Sequence, residues 1–468
     1  MDDFLDDDSD GLSAVDELVR RFQEMLETDS IAFFDTAEYG EIVDYFLDQD
    51  DFEMAEEAIN LGVNQYPGNT ELLIKKARLL IDTNKPDQAL SILSEVEQYD
   101  PTNSELYFTK GIAYSKLHNY NEAIIEYKKA ISDYEDLSYL YTCIAFEYEN
   151  LNNFDKSIEY LKKAIELEPT NEAIFAELAY SYEIGQRFDD AITFFNSFLE
   201  KYPYSHTAWF NLGIIYNELE LYEKAVDAYD YCIAIDPEIT WVYFNKATSL
   251  SHMGLYKTAI NTYKETFFYE KPEATTYYFI GECYEKLEDY HKALEFFKKS
   301  VSADKSLADA WVGMGVAYEE LGDMTSALKA VSKGVKLDPE NLSFIATKGL
   351  IELQAGLFTE AIASFAHAVE LNPLDDNIWL DYSDAYASMN DYALALDIID
   401  QGISYQPGNY YLKLRKVAYL YFNGLHKEAI STLQEVLLVE DAILDDLWDY
   451  APVLRNDTSI TEIIHDLR

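Results

Sequence analysis

Apolar and small residues recur along the chain with a period of 34 residues. The pattern is clearest in WFNLGIIYNELELYEKAVDAYDYCIAIDP, which begins at Trp209. Four of its positions return at this spacing, occupied here by Trp209, Gly213, Ala225 and Pro237. Large rings recur at Tyr107, Tyr141, Phe175, Tyr243, Tyr277, Trp311 and Trp379, and prolines at Pro67, Pro101, Pro169, Pro203, Pro339, Pro373 and Pro407. Twelve frames from residue 36 to 443 follow without insertion or deletion.

Within each frame the apolar residues have the spacing of two amphipathic helices. In frame 206–239, Leu212 and Tyr216 belong to the first helix, and Tyr229 belongs to the second. Small residues at the Gly213 and Ala225 positions allow the two helices to approach closely. The proline ends the second helix, because it has no N–H to donate and clashes with the preceding turn. One such pair cannot bury its own apolar faces, so we expect neighbouring pairs to stack.

The two ends of the array depart from the pattern. Ten of the twelve frames carry Gly, Ala or Ser at the Gly213 position, and the first and last carry Val43 and Val417. Residues 12–28 and 443–467 have helical patterns, and Asp457 is placed to cap a final helix. We therefore predict an acidic tail and capping helix over 1–35, twelve repeats over 36–443, and capping helices over 444–468.

The pattern W-x2-L-G-x2-Y…A…Y/F…A…P over 34 residues resembles the tetratricopeptide repeat, and the resemblance covers about 408 residues. It implies an all-α fold, a right-handed α-solenoid of helix pairs whose first helices line a concave groove. Members of this family usually bind peptide segments or proteins and rarely catalyse reactions. The resemblance does not identify a partner, because the motif residues are packing residues.

Charge narrows the class of partner. The chain has 87 acids and 35 bases, a net charge of −52, which disfavours nucleic acid and anionic membrane surfaces and favours a basic partner. No secretory signal and no apolar stretch of about 18 residues is visible. Cys143, Cys232 and Cys283 are widely spaced, so we expect no disulfide framework and a cytoplasmic protein.

Catalytic and metal motifs are almost absent. Asp6, Asp8, Asp10, Gly11 and Glu17 match the spacing of a calcium loop, but too few residues precede Asp6 to form an entering helix. An acidic tail before a helix start is the simpler interpretation. Histidines show no zinc-protease spacing and no general acid–base pair stands out. We expect no enzyme activity, no cofactor and no metal.

The groove is expected to be acidic. With the family geometry, frame positions 2, 5, 6, 9, 12 and 13 of the first helices face it, and without position 6 they carry fourteen acids against Arg78, Lys116 and Lys286. No frame has the Lys and Asn pair of the family's carboxylate clamp. An acidic groove favours a basic ligand, with salt-dependent binding.

One groove region carries aromatic and amide side chains suited to an extended peptide. The residues predicted to form this peptide-binding region are Phe210, Asn211, Ile214, Trp241, Phe244, Asn245 and Tyr278. The alternative is that these rings pack on the next repeat and the asparagines only follow the consensus. A second aromatic set, Tyr411, Leu414, Tyr421 and Phe422, is better explained by packing on the C-terminal cap.

The sequence thus predicts a non-enzymatic interaction scaffold that binds a protein or peptide with basic segments in its groove. A structural subunit of a larger assembly, using the convex face or the ends, is the alternative. A calcium-responsive protein or an enzyme fits the sequence less well. The sequence identifies neither the partner nor the oligomeric state.

Overall fold

A computed structural model of the chain describes residues 14–28, 32–438 and 444–467, and these residues form 27 α-helices and two short 3₁₀ helices. The predicted all-α stack of helix pairs is confirmed. The chain divides into two compact units, Met1–Asp236 and Pro237–Arg468, each with six helix pairs. Within each unit the consecutive helices of these pairs pack together, and a first helix also contacts the next first helix, as Thr70–Asp82 does with Ser104–Lys116.

The first unit begins with α1 (Ala14–Thr28) and continues with six pairs, each of a first and a second helix. The pairs are α2 and α3 (Thr36–Asp48, Phe52–Gln65), α4 and α5 (Thr70–Asp82, Pro86–Tyr99), α6 and α7 (Ser104–Lys116, Tyr120–Ala130), α8 and α9 (Leu137–Asn150, Phe154–Leu167), α10 and α11 (Glu172–Ile184, Phe188–Lys201), and α12 and α13 (His206–Glu218, Tyr222–Ile235).

The second unit repeats this plan and ends in two further helices. Its pairs are α14 and α15 (Thr240–His252, Tyr256–Glu265), α16 and α17 (Ala274–Lys286, Tyr290–Ala303), α18 and α19 (Ala308–Glu320, Met324–Leu337), α20 and α21 (Leu342–Gln354, Phe358–Leu371), α22 and α23 (Asp376–Ser388, Tyr392–Tyr405), and α24 and α25 (Tyr410–Phe422, His426–Leu437). A 3₁₀ helix (Thr266–Phe268) follows α15. After α25 come α26 (Leu444–Tyr450), a 3₁₀ helix (Pro452–Asn456) and α27 (Thr458–Leu467).

The small residues predicted to bring the two helices together lie in the core. All twelve residues at the Ala225 position, eleven alanines and Ser157, are 0% exposed. At the Gly213 position, a Cβ built on the backbone would lie 2.5 Å from Cε1 of Tyr229 on the second helix. The ring of Tyr229 therefore occupies the space that a side chain at 213 would need.

Large rings at the Trp209 position join the two ends of five connections between repeats. Nε1 of Trp209 donates to the carbonyl of Pro203, six residues earlier, at 3.0 Å, and the indole stacks on Tyr231 with ring centroids 4.4 Å apart. The same bond, from an indole N–H or a phenol O–H, joins Tyr107 to Pro101, Tyr243 to Pro237, Trp311 to Lys305 and Trp379 to Pro373. The ring at this position is a packing residue, as the repeat pattern predicted.

The turn inside each pair has a feature that the sequence analysis missed. Every frame places a residue with positive φ at the Glu220 position, and only four of these twelve residues are glycine. The others include His118, Gln186 and Glu220, with φ of 58°, 53° and 57°. Such residues rarely adopt this left-handed conformation, so the tight packing of the flanking helices imposes it.

Both described ends of the array are covered by additional helices. Phe22 of α1 is fully buried near Phe34 and Phe46. At the other end, Asp457 caps α27 by accepting the backbone N–H groups of Ser459 and Ile460 at 2.9 and 3.2 Å.

The carboxylate of Asp384 ties the C-terminal helices to the preceding repeats. It forms an ion pair with Arg415 and accepts the hydroxyls of Tyr419 and Tyr450 at 2.5 and 2.7 Å. One side chain of α22 thus holds α24 and α26 in place.

Gly213→Ala should lower the free energy of unfolding by about 1–3 kcal/mol, because the added methyl group must displace the buried ring of Tyr229. Gly68→Ala is the matched control, since a Cβ at that position meets nothing within 4 Å. In urea denaturation, the midpoint of Gly213→Ala should lie below the wild-type midpoint. The midpoint of Gly68→Ala should lie at or above it. Equal midpoints for the two variants would contradict the close approach.

Candidate peptide-binding site

The predicted aromatic site is divided between the two compact units, and each part is described by itself. In the first unit, Phe210, Asn211 and Ile214 lie on α12. Phe210 and Ile214 are half-buried, and the ring of Phe210 lies 6.0 Å from that of Tyr229. Asn211 is only 4% exposed, and its Nδ2 donates to the carbonyl of Thr207 at 2.8 Å. This amide is therefore buried and bonded to its own helix, and little of it is presented at the surface.

In the second unit, α14 and α16 carry the other four predicted residues. Trp241 is 50% exposed. Phe244 is half-buried, with its ring 5.6 Å from Tyr263 and 6.5 Å from Phe279. Its packing follows the alternative interpretation, in which these rings fill space between helices.

Asn245 and Tyr278 also make contacts within the second unit. Nδ2 of Asn245 donates to the carbonyl of Trp241 at 3.0 Å. The ring of Tyr278 lies 5.9 Å from Phe297, and its hydroxyl interacts with Glu282. Of the seven predicted residues, Trp241 presents the largest exposed fraction of a ring.

The second aromatic set packs largely as expected. Leu414 is buried in the C-terminal core, and the hydroxyl of Tyr421 donates to Oδ2 of Asp457 at 2.9 Å. Tyr411 remains 52% exposed.

Several carboxylates of the first helices lie in surroundings that disfavour their charged form, with only partial compensation from nearby cations. Burial is the main cause that raises the pKa of Glu177 in the first unit and of Glu282, Glu285 and Glu319 in the second. Burial raises the pKa of Asp381 to about 6, and the nearby Asp384 adds to the rise. Such groups are held in an environment that disfavours their charged form.

The first unit also contains a cavity that the sequence analysis missed. Its volume is about 320 Å³. Its lining comes from α6 to α10 and consists of Ile112, Ser115, Tyr127, Tyr139, Thr142, Cys143, Phe146, Glu147, Glu149, Leu161 and Glu177. Many of these residues occupy the frame positions expected to face the groove.

Glu147 is the unusual residue of this cavity. It is 1% exposed, and its Oε2 has no hydrogen-bond partner among the described residues. Burial raises the pKa of Glu147, and hydrogen bonds with Ser115 and Asn150 partly oppose the rise. It stands at a frame position that elsewhere holds buried apolar or small residues such as Leu79, Ala113 and Ile215. A comparison of the twelve frames at this single position would have found it.

The described residues show no sign of a metal centre or a membrane-spanning segment. Among them, no group of three or more His, Cys, Asp or Glu residues is placed to hold a metal ion. No described helix is both long and apolar enough to cross a bilayer. Of the residues that match the calcium-loop spacing, Asp6, Asp8, Asp10 and Gly11 lie outside the described residues, and Glu17 on α1 pairs with Arg20 at 2.8 Å.

The three cysteines are free thiols. Burial raises the pKa of Cys143 and Cys232 to about 12 and that of Cys283 to about 11. The thiolate form is therefore scarce at neutral pH, which makes these side chains poor nucleophiles.

Glu147→Gln should raise the free energy of unfolding at neutral pH, by about 1–3 kcal/mol, since the wild type buries an unsatisfied carboxylate there. The folded-state pKa of Glu147 lies above the unfolded value, so the wild type loses stability as pH rises between the two. The urea midpoints of the wild type and Glu147→Gln should therefore coincide at about pH 4, where the carboxyl is protonated. They should diverge by pH 7. A variant less stable than wild type at pH 7 would contradict this account of Glu147.

Comparison with solved structures yields helical repeat proteins of low sequence identity. The Cut9–Hcn1 hetero-tetramer of the APC/C is 15% identical, covering 90% of this chain and 97% of that chain, with a TM-score of 0.41. YrrB, described as a TPR protein with an unusual peptide-binding site, is 17% identical over 42% of this chain and 97% of its own, with a TM-score of 0.34. The C-terminal part of a TPR repeat-containing protein from Cytophaga hutchinsonii is 15% identical, covering 55% of this chain and 99% of that chain, with a TM-score of 0.43.

No protein in the search of curated proteins matches the chain. Family models described as tetratricopeptide repeat match ranges that together exceed half of the 468 residues. The matched residues are 104–132, 138–171, 177–205, 206–239, 274–307, 308–341 and 352–416. The chain therefore belongs to the tetratricopeptide repeat family, whose fold is a protein-interaction scaffold and is typically non-enzymatic.

Proposed function

We propose that this protein is a non-enzymatic scaffold that binds a basic segment of a partner protein along its first helices. The observation that supports this most directly is the set of first-helix carboxylates whose pKa burial raises, including Glu177, Glu282, Glu285 and Asp381. A cation from a ligand favours the charged form of such groups. Binding therefore recovers part of the free energy that their burial costs.

Net charge supports the same class of partner. At −52, the chain repels phosphate backbones and anionic lipid headgroups, whose binding depends on Lys and Arg. It attracts basic protein segments over a distance that salt screening limits. The three free thiols are consistent with a reducing compartment such as the cytoplasm.

Trp241 is the aromatic contact that we assign to this function. The exposed half of its ring offers a large contact area at low cost in conformational entropy. Phe244 and Tyr278 support the same face from packed positions.

A peptide array tests the charge preference. Twelve-residue peptides that carry lysine or arginine among apolar and small residues should bind the full chain, and the same peptides with glutamate at those positions should not. Raising the salt from about 0.05 to 0.5 M should weaken binding roughly tenfold or more, because screening shortens the reach of the acidic face. Retention of acidic peptides, or binding that ignores salt, would contradict the proposal.

Trp241→Ala should weaken the affinity of the best basic peptide from that array by about tenfold or more, the usual loss when a large buried anchor is removed. Phe268→Ala is the matched control, since Phe268 is an 86% exposed ring of the same unit outside the first helices. Fluorescence anisotropy measures both. Equal affinities for the two variants would place the aromatic contact elsewhere.

A further inference from the structure

We propose that the cavity around Glu147 is a recognition pocket for one lysine or arginine side chain of a partner protein. This inference rests on the proposed function and names the subsite where a basic segment inserts its cation. The pocket lies within the first unit, between α6 and α10. Its volume of about 320 Å³ is near the lower end of the roughly 300–1,000 Å³ of ligand sites, which suits a single long side chain.

A lone carboxylate oxygen supplies the specificity of the pocket. Glu147 lines the cavity, is 1% exposed, and leaves Oε2 without a hydrogen-bond partner among the described residues. Buried carboxylate oxygens are normally bonded, because an unsatisfied one has lost its water without replacement. Oε2 has almost no accessible surface as it stands, so the side chain must rotate towards the cavity, where an ammonium or guanidinium N–H would provide the missing bond.

The chain neutralises a comparable carboxylate elsewhere with its own lysine. Glu352 on α20 is 5% exposed, and its Oε1 lies 3.1 Å from Nζ of Lys348, four residues earlier on the same helix. Its Oε2 accepts the hydroxyl of Ser364 at 2.6 Å. The residue four positions before Glu147 is Cys143, a neutral thiol, so the cation that Glu352 finds in its own helix is missing here.

The other polar groups of the pocket also favour a cation. Neither lysine nor arginine is among the residues that line it. Oε1 of Glu149 accepts hydrogen bonds from the hydroxyls of Ser157 and Ser181 at 2.7 and 2.5 Å. These bonds fix the carboxylate of Glu149 at the cavity wall. Glu177 adds a third carboxylate. The cavity therefore presents negative charge and no competing positive charge.

The apolar parts of the lining match the stem of such a side chain. Ile112 and Leu161 line the cavity beside Tyr127, while Tyr139 and Phe146 are 55% and 57% exposed. Lysine and arginine carry an aliphatic stem that packs on apolar surface while the charged head reaches a polar group. The rings of Tyr139 and Phe146 also attract a cation that passes over their faces.

A double-mutant cycle on the full-length chain tests this pocket. Its ligands are a basic twelve-residue peptide that binds the wild type and the same peptide with its lysine replaced by norleucine, which keeps the stem and removes the charge. For wild type, this replacement should weaken binding about tenfold or more, as loss of a charged hydrogen bond does. For Glu147→Gln the two peptides should bind within about twofold of each other. A third peptide, with arginine in place of that lysine, is measured against the same proteins.

Glu200→Gln is the matched control, because Glu200 is an exposed acid on the second helix α11, and its replacement changes the net charge equally without altering the cavity lining or the first helices. It should keep the wild-type preference for lysine. Unfolding of the variant does not confound the test, since Glu147→Gln is expected to be the more stable protein at neutral pH.

The possible outcomes separate the two proposals. A lysine preference that persists in Glu147→Gln overturns the pocket and leaves the basic-segment function standing. Failure of every basic peptide to bind the wild type overturns both. Spermidine that displaces the peptide at equal concentration would show that the pocket takes free polyamines, which contradicts a protein side chain as its ligand.

Discussion

The close approach of the two helices in each pair is the constraint on which the rest of the structure depends. Because the Ala225 position is fully buried in all twelve frames, the second helix of a pair cannot carry a large side chain there. Where the Gly213 position is glycine, a ring or branched side chain on the second helix fills the space, as Tyr229 does beside Gly213. The left-handed residue at every intrapair turn follows from the same packing, since it reverses the chain within a few residues.

This packing also determines where function is possible. Positions that hold the pairs together are occupied mainly by small and apolar residues, so most of the charge of the first helices lies at their remaining positions. Most of that charge is acidic, and some of it is paired within the chain, as Lys75 pairs with Asp44 at 2.6 Å and Arg78 with Glu105 at 3.0 Å. The carboxylates that stay unpaired are the ones available to a partner. Glu147 differs from them because it stands at a packing position.

The sequence predicted the packing well because the repeat makes each residue interpretable by its frame position. Trp209 and Gly213 were assigned to packing on that ground, and the structure gives each a specific contact. The burial of Asn211 was not predicted, since it depends on neighbouring side chains that no single frame reveals. The left-handed turn was missed because residues as different as His118 and Glu220 occupy it. Glu147 was missed because one more acid attracts no notice in a chain with 87 of them.

Proton release on binding tests the central claim most directly, because it reports whether buried first-helix carboxylates become charged when a basic segment arrives. Calorimetric titration with a basic peptide in two buffers of different ionisation enthalpy measures it. At about pH 6, where the raised pKa of Asp381 lies, binding should release protons, and the release should vanish by about pH 8. Peptide binding without proton release at the lower pH would contradict the account.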